Sequence, residues 1–388
     1  MTQAPKKKIW KKVIGGILLV PLVLFTIVSI LVVVKKDAIV QSLLDTLNED
    51  FKGTIVIREN RIAPFENFPY ISIDLKGFQV FEGKNLQASP VISLEDVYVG
   101  FDLWTVVKGN YDIKTIKLKN GLIDIIQTEE GVFNILTAFE TTKEIEDVEE
   151  EFHLDLKSIV LQQVELAKTN LADSIKMDAL IDKAELNFKK SPTHIEMGLK
   201  STFVLNVLKD KDSTFVKNKH FKIATVFDFD KKEHLITFAP SEVTLENGVF
   251  GMEGTADFDD DFNVDLKFNG KKPNFDLLIA FAPNELIEVL EQYDNRGEIY
   301  FDAFIKGKTI NGHQPSVEAK FGCKEGYFDN TATSKKLDEM FFNAYFTNGE
   351  HRNLESSRFE LKDFSARPEA GKFTGNLVVE NFISPDID

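Results

Sequence analysis

Six histidines, one cysteine and one cluster of side-chain oxygens are the residues whose types could do chemistry. His153, His194, His220, His234, His313 and His351 show neither HxH nor HExxH spacing and have no cysteine cluster beside them. Sequence neighbours therefore assemble no zinc ligand set, and each histidine reads as an exposed strand or loop residue. Gly307, Lys308 and Thr309 resemble the end of a phosphate-binding loop, but the glycine that should open that loop falls on Asp302. No serine sits in a GxSxG elbow, so a hydrolase triad lacks its nucleophile. Asp257, Asp259, Asp261, Asn263 and Asp265 place oxygens at alternate positions, as a calcium loop does. A helix-flanked calcium loop needs glycine at its sixth position and glutamate at its twelfth. Here those are Phe262 and Phe268, and the segment reads better as a polar turn between two strands. The expectation is a non-enzymatic chain without metal or cofactor, in which a face rather than a residue does the work.

The elements that must build such a face begin with Val13 to Val34, twenty-two uncharged residues with lysine pairs on either side. A helix of that length spans the roughly 30 Å hydrocarbon core of a bilayer. A cleavable signal would need a shorter apolar core and a small-x-small site, and Val32, Val33, Val34 and Lys35 occupy the places where small residues belong. Lys6, Lys7, Lys8, Lys11 and Lys12 outweigh the far flank, which puts residues 1–12 on the cytoplasmic side. Everything from Asp37 onward is then exported.

Residues 1–36 hold seven lysines and no acid, so a formal net charge of -16 for the whole chain leaves -23 on the rest. That surface repels nucleic-acid backbones and anionic headgroups. A hydrophobic fraction of 43% supports a packed fold, and Phe, at 34 against 7 Tyr and 2 Trp, dominates its large apolar side chains. Cys323 stands alone, which rules out an internal disulfide and fits a bacterial envelope.

Asp37 to Asp50 reads as an amphipathic helix with Ile39, Leu43, Leu44 and Leu47 on one stripe, ended at Gly53. Beyond it the period becomes 2. Ile71, Ile73 and Leu75 alternate with Ser72, Asp74 and Lys76. Ile92 to Leu103 changes parity near Glu95 and Asp96, and Tyr111 to Lys119 does so between Ile113 and Ile116; both changes predict bulges, and bulges predict curvature. The acidic run Glu144 to Glu151 predicts a solvated connection. Alternation resumes at Phe152 and returns through Ile195 to Val207, Phe221 to Phe229, Val264 to Phe268, Ile299 to Ile305, Val317 to Phe321, and Leu377 to Val379. Only Asn284 to Gln292 reads as a later helix. The predicted organisation is a cytoplasmic tail 1–12, a span 13–34, a β region 37–140, a connection 141–151 and a longer β region 152–388. The fold class is mainly β, a transmembrane helix followed by a large antiparallel sheet whose apolar side must be covered. A second sheet, barrel closure, or a curved trough lined by a few helices would each cover it.

An anchor, a short helix and then ISIDLKGFQVF at Ile71 to Phe81 resemble the opening of the AsmA family of bacterial envelope proteins. The stretch VISLEDVYVGFDLWTVVKGNYDIKTIKLKNGLIDIIQTEEGVFN, Val91 to Asn134, is similar to that family's recurring pair of strands and Gly-x-x-Asn turn. Asn247 to Phe268 and Arg296 to Lys306 resemble its carboxyl-terminal strand units. AsmA-like chains run longer, so the resemblance implies that Phe382 to Asp388 interrupts a strand series and that this is the amino-terminal part of a longer chain. It also implies an inner-membrane protein of the bridge-like lipid-transfer class, with a periplasmic, taco-like β groove that moves phospholipid toward the outer membrane. Expected lining positions are Ile71, Ile73, Val97, Val99, Phe101, Phe227 and Phe229. The competing expectations are a factor for outer-membrane protein assembly and targeting that uses sheet edges and protein partners, and an envelope enzyme without a visible motif.

Overall fold

A computed structural model describes residues 36–108, 111–141, 152–172, 174–209, 212–213, 216–272, 274–310, 312–330, 333, 335–368 and 371–388. The expected span Val13 to Val34, the basic tail before it and the acidic run Glu144 to Glu151 lie outside these residues. No helix among the described residues is long and apolar enough to cross a membrane. The architecture is mainly β: a large, open, mostly antiparallel sheet with few short helices. Two compact units divide the chain, Met1–Ile123 with Ile135–Gln162, and Asp124–Asn134 with Gln163–Asp388. The division falls within two strands.

In the first unit, helix α1 (residues 36–50) matches the predicted amphipathic segment, with Ile39 and Val40 buried. Lys84 closes its carboxyl end, donating from Nζ to the Asn48 and Gly53 carbonyls at 2.8 Å and to Phe51 O at 3.1 Å. A cation there meets carbonyls that the last helical turn leaves unpaired. Strands β1 (Thr54–Val56), β2 (Glu59–Ala63), β3 (Ile71–Phe81), β4 (Ile92–Phe101) and β5 (Tyr111–Gln127) follow. β3 is central, pairing antiparallel with β1, β2 and β4, and β4 pairs with β5.

One predicted bulge is present and one is not. The β4–β5 register shifts at Gly100 and Phe101, opposite Ile113 to Thr115, as the parity change in β5 required. Near Glu95 there is no shift, because Lys76 pairs with Asp96 and Phe78 with Leu94 in one register. What changes there is the covering. Phe78, Val80 and Ile92 pack with Ile55, Ala138, Leu44 and Leu47, so the side of the β3–β4 hairpin that is polar farther along becomes apolar beneath α1.

β4 also ends earlier than the alternation implies. Asp102 Oδ1 accepts hydrogen bonds from Trp104 N at 2.9 Å and Thr105 N at 3.2 Å, and α2 (Leu103–Lys108) starts there. A capping aspartate outweighs the strand pattern at this point. After β5 the chain turns through Gly131, at φ +87°, to α3 (Asn134–Ala138). Asn134 Oδ1 accepts from Ile126 N and its Nδ2 donates to Asp124 O, both at 2.9 Å. Asn134→Ala should therefore leave a strand N–H and a carbonyl unmet, and is expected to cost about 1–3 kcal/mol in a denaturant titration.

β6 (Phe152–Asn170) leads into the second unit, which continues with β7 (Ile175–Lys190), β8 (His194–Lys209), β9 (Asp212–Ser213), β10 (Lys219–Asp230), β11 (Leu235–Leu245), β12 (Gly248–Asp257) and β13 (Asn263–Lys272). Helices α4 (Asp276–Ile279) and α5 (Asn284–Leu290) precede β14 (Asp294–Gly307), β15 (Ser316–Asn330), β16 (Lys335–Thr347), β17 (Arg358–Pro368), β18 (Phe373–Glu380) and β19 (Asp386–Ile387). Sequential antiparallel ladders join β7 to β8, β8 to β10, and then each strand to the next as far as β19; β9 pairs with β8 alone. β16 and β17 escaped the sequence pattern because their shared ladder shifts register twice, between Asp338 and Phe341 and between Phe341 and Asn343. α5 is where the sequence placed it, but Leu286 and Val289 of its apolar stripe are exposed.

Candidate apolar binding face

Antiparallel pairing puts directly opposed residues on the same side of a sheet, so an unbroken register turns alternation along each strand into rows that cross many strands. In the second unit one row reads Met252, Phe268, Ala303, Ala319, Phe346, Phe359 and Val379, from β12 to β18 without a polar residue. At about 4.8 Å per strand it is about 29 Å long. A parallel row reads Phe301, Phe321, Ala344, Leu361 and Leu377. Within these rows the ring of Phe301 stacks on Phe281 at 5.4 Å and on Phe321 at 6.2 Å, and Phe321 stacks on Phe359 at 6.3 Å. The small Ala344 between the last two strands lets those rings meet.

Part of this face is covered. Leu277 of α4 and Ala280 at its carboxyl end are buried among Phe250, Ile299 and Phe301. Gly270 makes the seat, since a Cβ there would stand 2.9 Å from both Leu277 methyl carbons. Farther along, Phe321, Phe346, Phe359 and Leu361 are only partly buried. Cys323, beneath the covered part, is fully buried, and burial pushes its thiol up to about 12. A thiol so placed is inert packing.

The expected lining residues divide between the units. Ile71, Ile73, Val97, Val99 and Phe101 share one side of the first unit's sheet, through the register pairs Ile71 with Phe101, Ile73 with Val99 and Leu75 with Val97. They are 0–6% exposed, so this side of the sheet is buried. Phe227 and Phe229 belong to the second unit, partly buried against Ile236, Ala256 and Val264. Phe227 meets Phe238 at 5.7 Å, and Phe229 meets the half-exposed Phe258 at 5.8 Å. Register through Leu266 and Phe268 of β13 puts them on the same side as the long rows. The positions that sequence reasoning missed are Phe321, Phe346 and Phe359; the alternation that ends at Phe321 was visible, but β16 and β17 were not read as strands and the alignment of the three was not legible.

The aspartates of the β12–β13 turn are engaged by protein groups. Lys308 Nζ lies 2.6 Å from Asp260 and 3.0 Å from Asp261, His234 Nδ1 lies 2.7 Å from Asp259, and Lys306 Nζ lies 2.6 Å from Asp265. His194 lies 2.6 Å from Asp228 and 3.9 Å from Asp230, and His220 lies 3.3 Å from Glu246. Among the described residues no three such side chains come together as a metal site.

The first unit carries a polar counterpart on the other side of its sheet. Register sets Arg61, Asp74, Tyr98 and Lys117 in one row and Lys76, Asp96 and Lys119 in the next. Arg61 Nε donates to Asp74 at 2.9 Å and Lys76 Nζ to Asp96 at 2.5 Å, with Asp74 only 1% exposed. The segment 64–70 folds over them, and Glu66 accepts from Lys117 at 2.9 Å and Lys119 at 3.2 Å. Desolvation raises the Asp74 carboxyl above its usual range, against the Arg61 hydrogen bond. The Lys117 hydrogen bond holds Glu66 below its usual range. Burial, then Asp74 and Asp96, push the Tyr98 hydroxyl up to about 12. These groups neutralise one another and hold the 64–70 segment in place.

No family model, curated protein or solved structure matches this chain.

Proposed function

We propose that this chain is a membrane-anchored, AsmA-like envelope protein that carries phospholipid acyl chains along an apolar β groove, its long region periplasmic. The observation that carries the reading is the row from Met252 to Val379, seven apolar positions in register with partly exposed rings at Phe346 and Phe359. Acyl burial on such a row gains roughly 0.8 kcal/mol per CH2, and because successive positions are alike a chain can slide without a deep trap. The anchor at Val13 to Val34 and the AsmA-like motifs support the same reading from the sequence.

A photo-reactive phenylalanine analogue at position 346, irradiated in cells, tests it. Phospholipid attached at 346 and absent at Lys320, which is exposed on the opposite side of β15, is the expected result. Protein adducts alone at 346 would favour the assembly-factor reading. That second reading draws on β18, which pairs with β17 along its length but with β19 only at Val379 and Glu380, and so presents an edge that another strand could join.

A further inference from the structure

We propose that one end of the first unit, carrying Phe65, Phe68 and Trp104, lies in the headgroup boundary of a phospholipid bilayer. The inference rests on the membrane anchor of the preceding reading, and not on lipid carriage.

The ladders fix which segments share that end. β2 reaches its last pair at Ala63 opposite Ser72, β3 begins at Ile71 opposite Phe101, and Phe101 in turn pairs with Ile113 near the start of β5. The segments 64–70 and 102–108 therefore leave the sheet on the same side. They carry three of the most exposed large apolar side chains in the unit, Phe65 at 74%, Phe68 at 69% and Trp104 at 59%. Scattered apolar exposure needs no explanation, but three aromatic rings gathered at one end do.

The direction of α1 says what faces them. Lys36, at its amino end, bonds Asn60 Oδ1 at 2.9 Å, and Asn60 pairs with Leu75 midway along β3. The carboxyl end of α1 lies at the far end of β3, where Lys84 holds the carbonyls of Asn48 and Gly53 and Thr54 pairs with Phe81. The helix therefore points its amino end toward the aromatic end of the sheet. Val34, the last residue of the expected span, is two residues before Lys36, a reach of about 7 Å. The bilayer surface from which the span emerges is consequently on the side where Phe65, Phe68 and Trp104 project.

Charge is arranged to permit contact. Free carboxylates at that end would be repelled by headgroup phosphates, but Asp102 is turned back to cap α2 and Glu66 is held by Lys117 and Lys119. What projects is apolar and aromatic, the composition that settles at the interface of a bilayer. Such contact would fix the tilt of the first unit's sheet on its tether.

Tryptophan fluorescence reads this directly. Trp10 and Trp104 are the two tryptophans, so the full chain with Trp10→Phe reports from Trp104 alone. Reconstituted in phosphatidylcholine vesicles, Trp104 should be quenched by lipids brominated near the headgroup end of their acyl chains and protected from iodide present on both sides. In the Phe65→Asp and Phe68→Asp double variant, with its far-ultraviolet β signal unchanged, that protection should be lost and emission should shift to the red. Iodide quenching of Trp104 without lipid quenching, in a chain that alkaline carbonate does not release from the vesicles, would overturn the proposal and leave the anchor standing. Release by carbonate would overturn the anchor and this proposal with it. Iodide protection that persists without lipid quenching would assign the end to a protein contact, such as a second copy, and overturn the bilayer assignment.

Discussion

Phe101→Ala is expected to destabilise the first unit by about 3–5 kcal/mol, the range for removing a large aromatic side chain from a packed interior. Phe101 is 2% exposed, closes the row that begins at Ile71, and meets Tyr111 edge to face at 6.4 Å. Deletion removes the transfer energy of the ring and leaves a hole between two register-locked strands, β3 and β5, which cannot move inward without breaking ladder bonds. Phe229→Ala starts from a partly exposed ring and should cost no more than about half as much. Hydrogen exchange resolved by segment checks both, because the loss should appear in β3, β4 and β5 for the first variant and in β10 and β11 for the second. Equal effects at the two positions would mean that Phe101 borders open space.

Lys76→Met is expected to be as damaging near neutral pH, about 3–5 kcal/mol, because it leaves the buried Asp96 without its cation and Asp74 with Arg61 alone. Lys76 lies 2.5 Å from Asp96 and 3.9 Å from Asp74, and the three side chains are 12%, 11% and 1% exposed. Methionine keeps the apolar stem, so the loss isolates the charge. The pH dependence has a definite sign. The folded-state pKa of Asp74 is raised above 3.8 by desolvation, so the folded chain holds a proton that the unfolded chain has released, and stability falls as pH rises through that window. Removing Lys76 takes away an attraction that lowers this pKa, which widens the window upward. The deficit of the variant should therefore shrink as pH is lowered from about 7 toward about 4. Glu66 works in the opposite sense. Its pKa is depressed below 4.5, and the stability it contributes is present above that value and lost as pH falls through the folded pKa. Because wild type and variant share Glu66, that contribution cancels in their difference. Denaturant midpoints of both proteins across this range give the comparison, and a deficit that grew on acidification would contradict the assignment.

Much of the fold was legible along the chain. Alternation at Ile71 to Leu75, at Phe221 to Phe229 and at Val264 to Phe268 marked strands and named the side chains that share a face, because the pleat turns successive residues to opposite sides. The stripe in α1 was equally clear, since its period is local. The turn character of Asp259 to Phe262 also followed from residue type, although Asn263 already belongs to β13, and the lysine that meets Asp260 and Asp261 reinforces it.

What alternation does not carry is the identity of the covering layer. Ile71 and Phe227 look alike in sequence, yet Ile71 is fully buried and Phe227 is only partly so. The difference arises from segments far away in the chain. The polar side of β3 shows the same limit: Asp74 reads as a solvent-facing residue, and it is buried because a seven-residue segment folds over it with Glu66 clamped to two lysines. Nor could a single strand show that Phe268, Ala303, Phe346 and Phe359 align, because register is set by pairing between strands and slips at every bulge. Sequence by itself determined which residues are apolar, which side of each strand they occupy and where a membrane span could form, all consequences of local geometry. Only the tertiary structure decided which of those apolar faces are filled and which stay partly open, because burial is a property of what the rest of the chain brings to a surface.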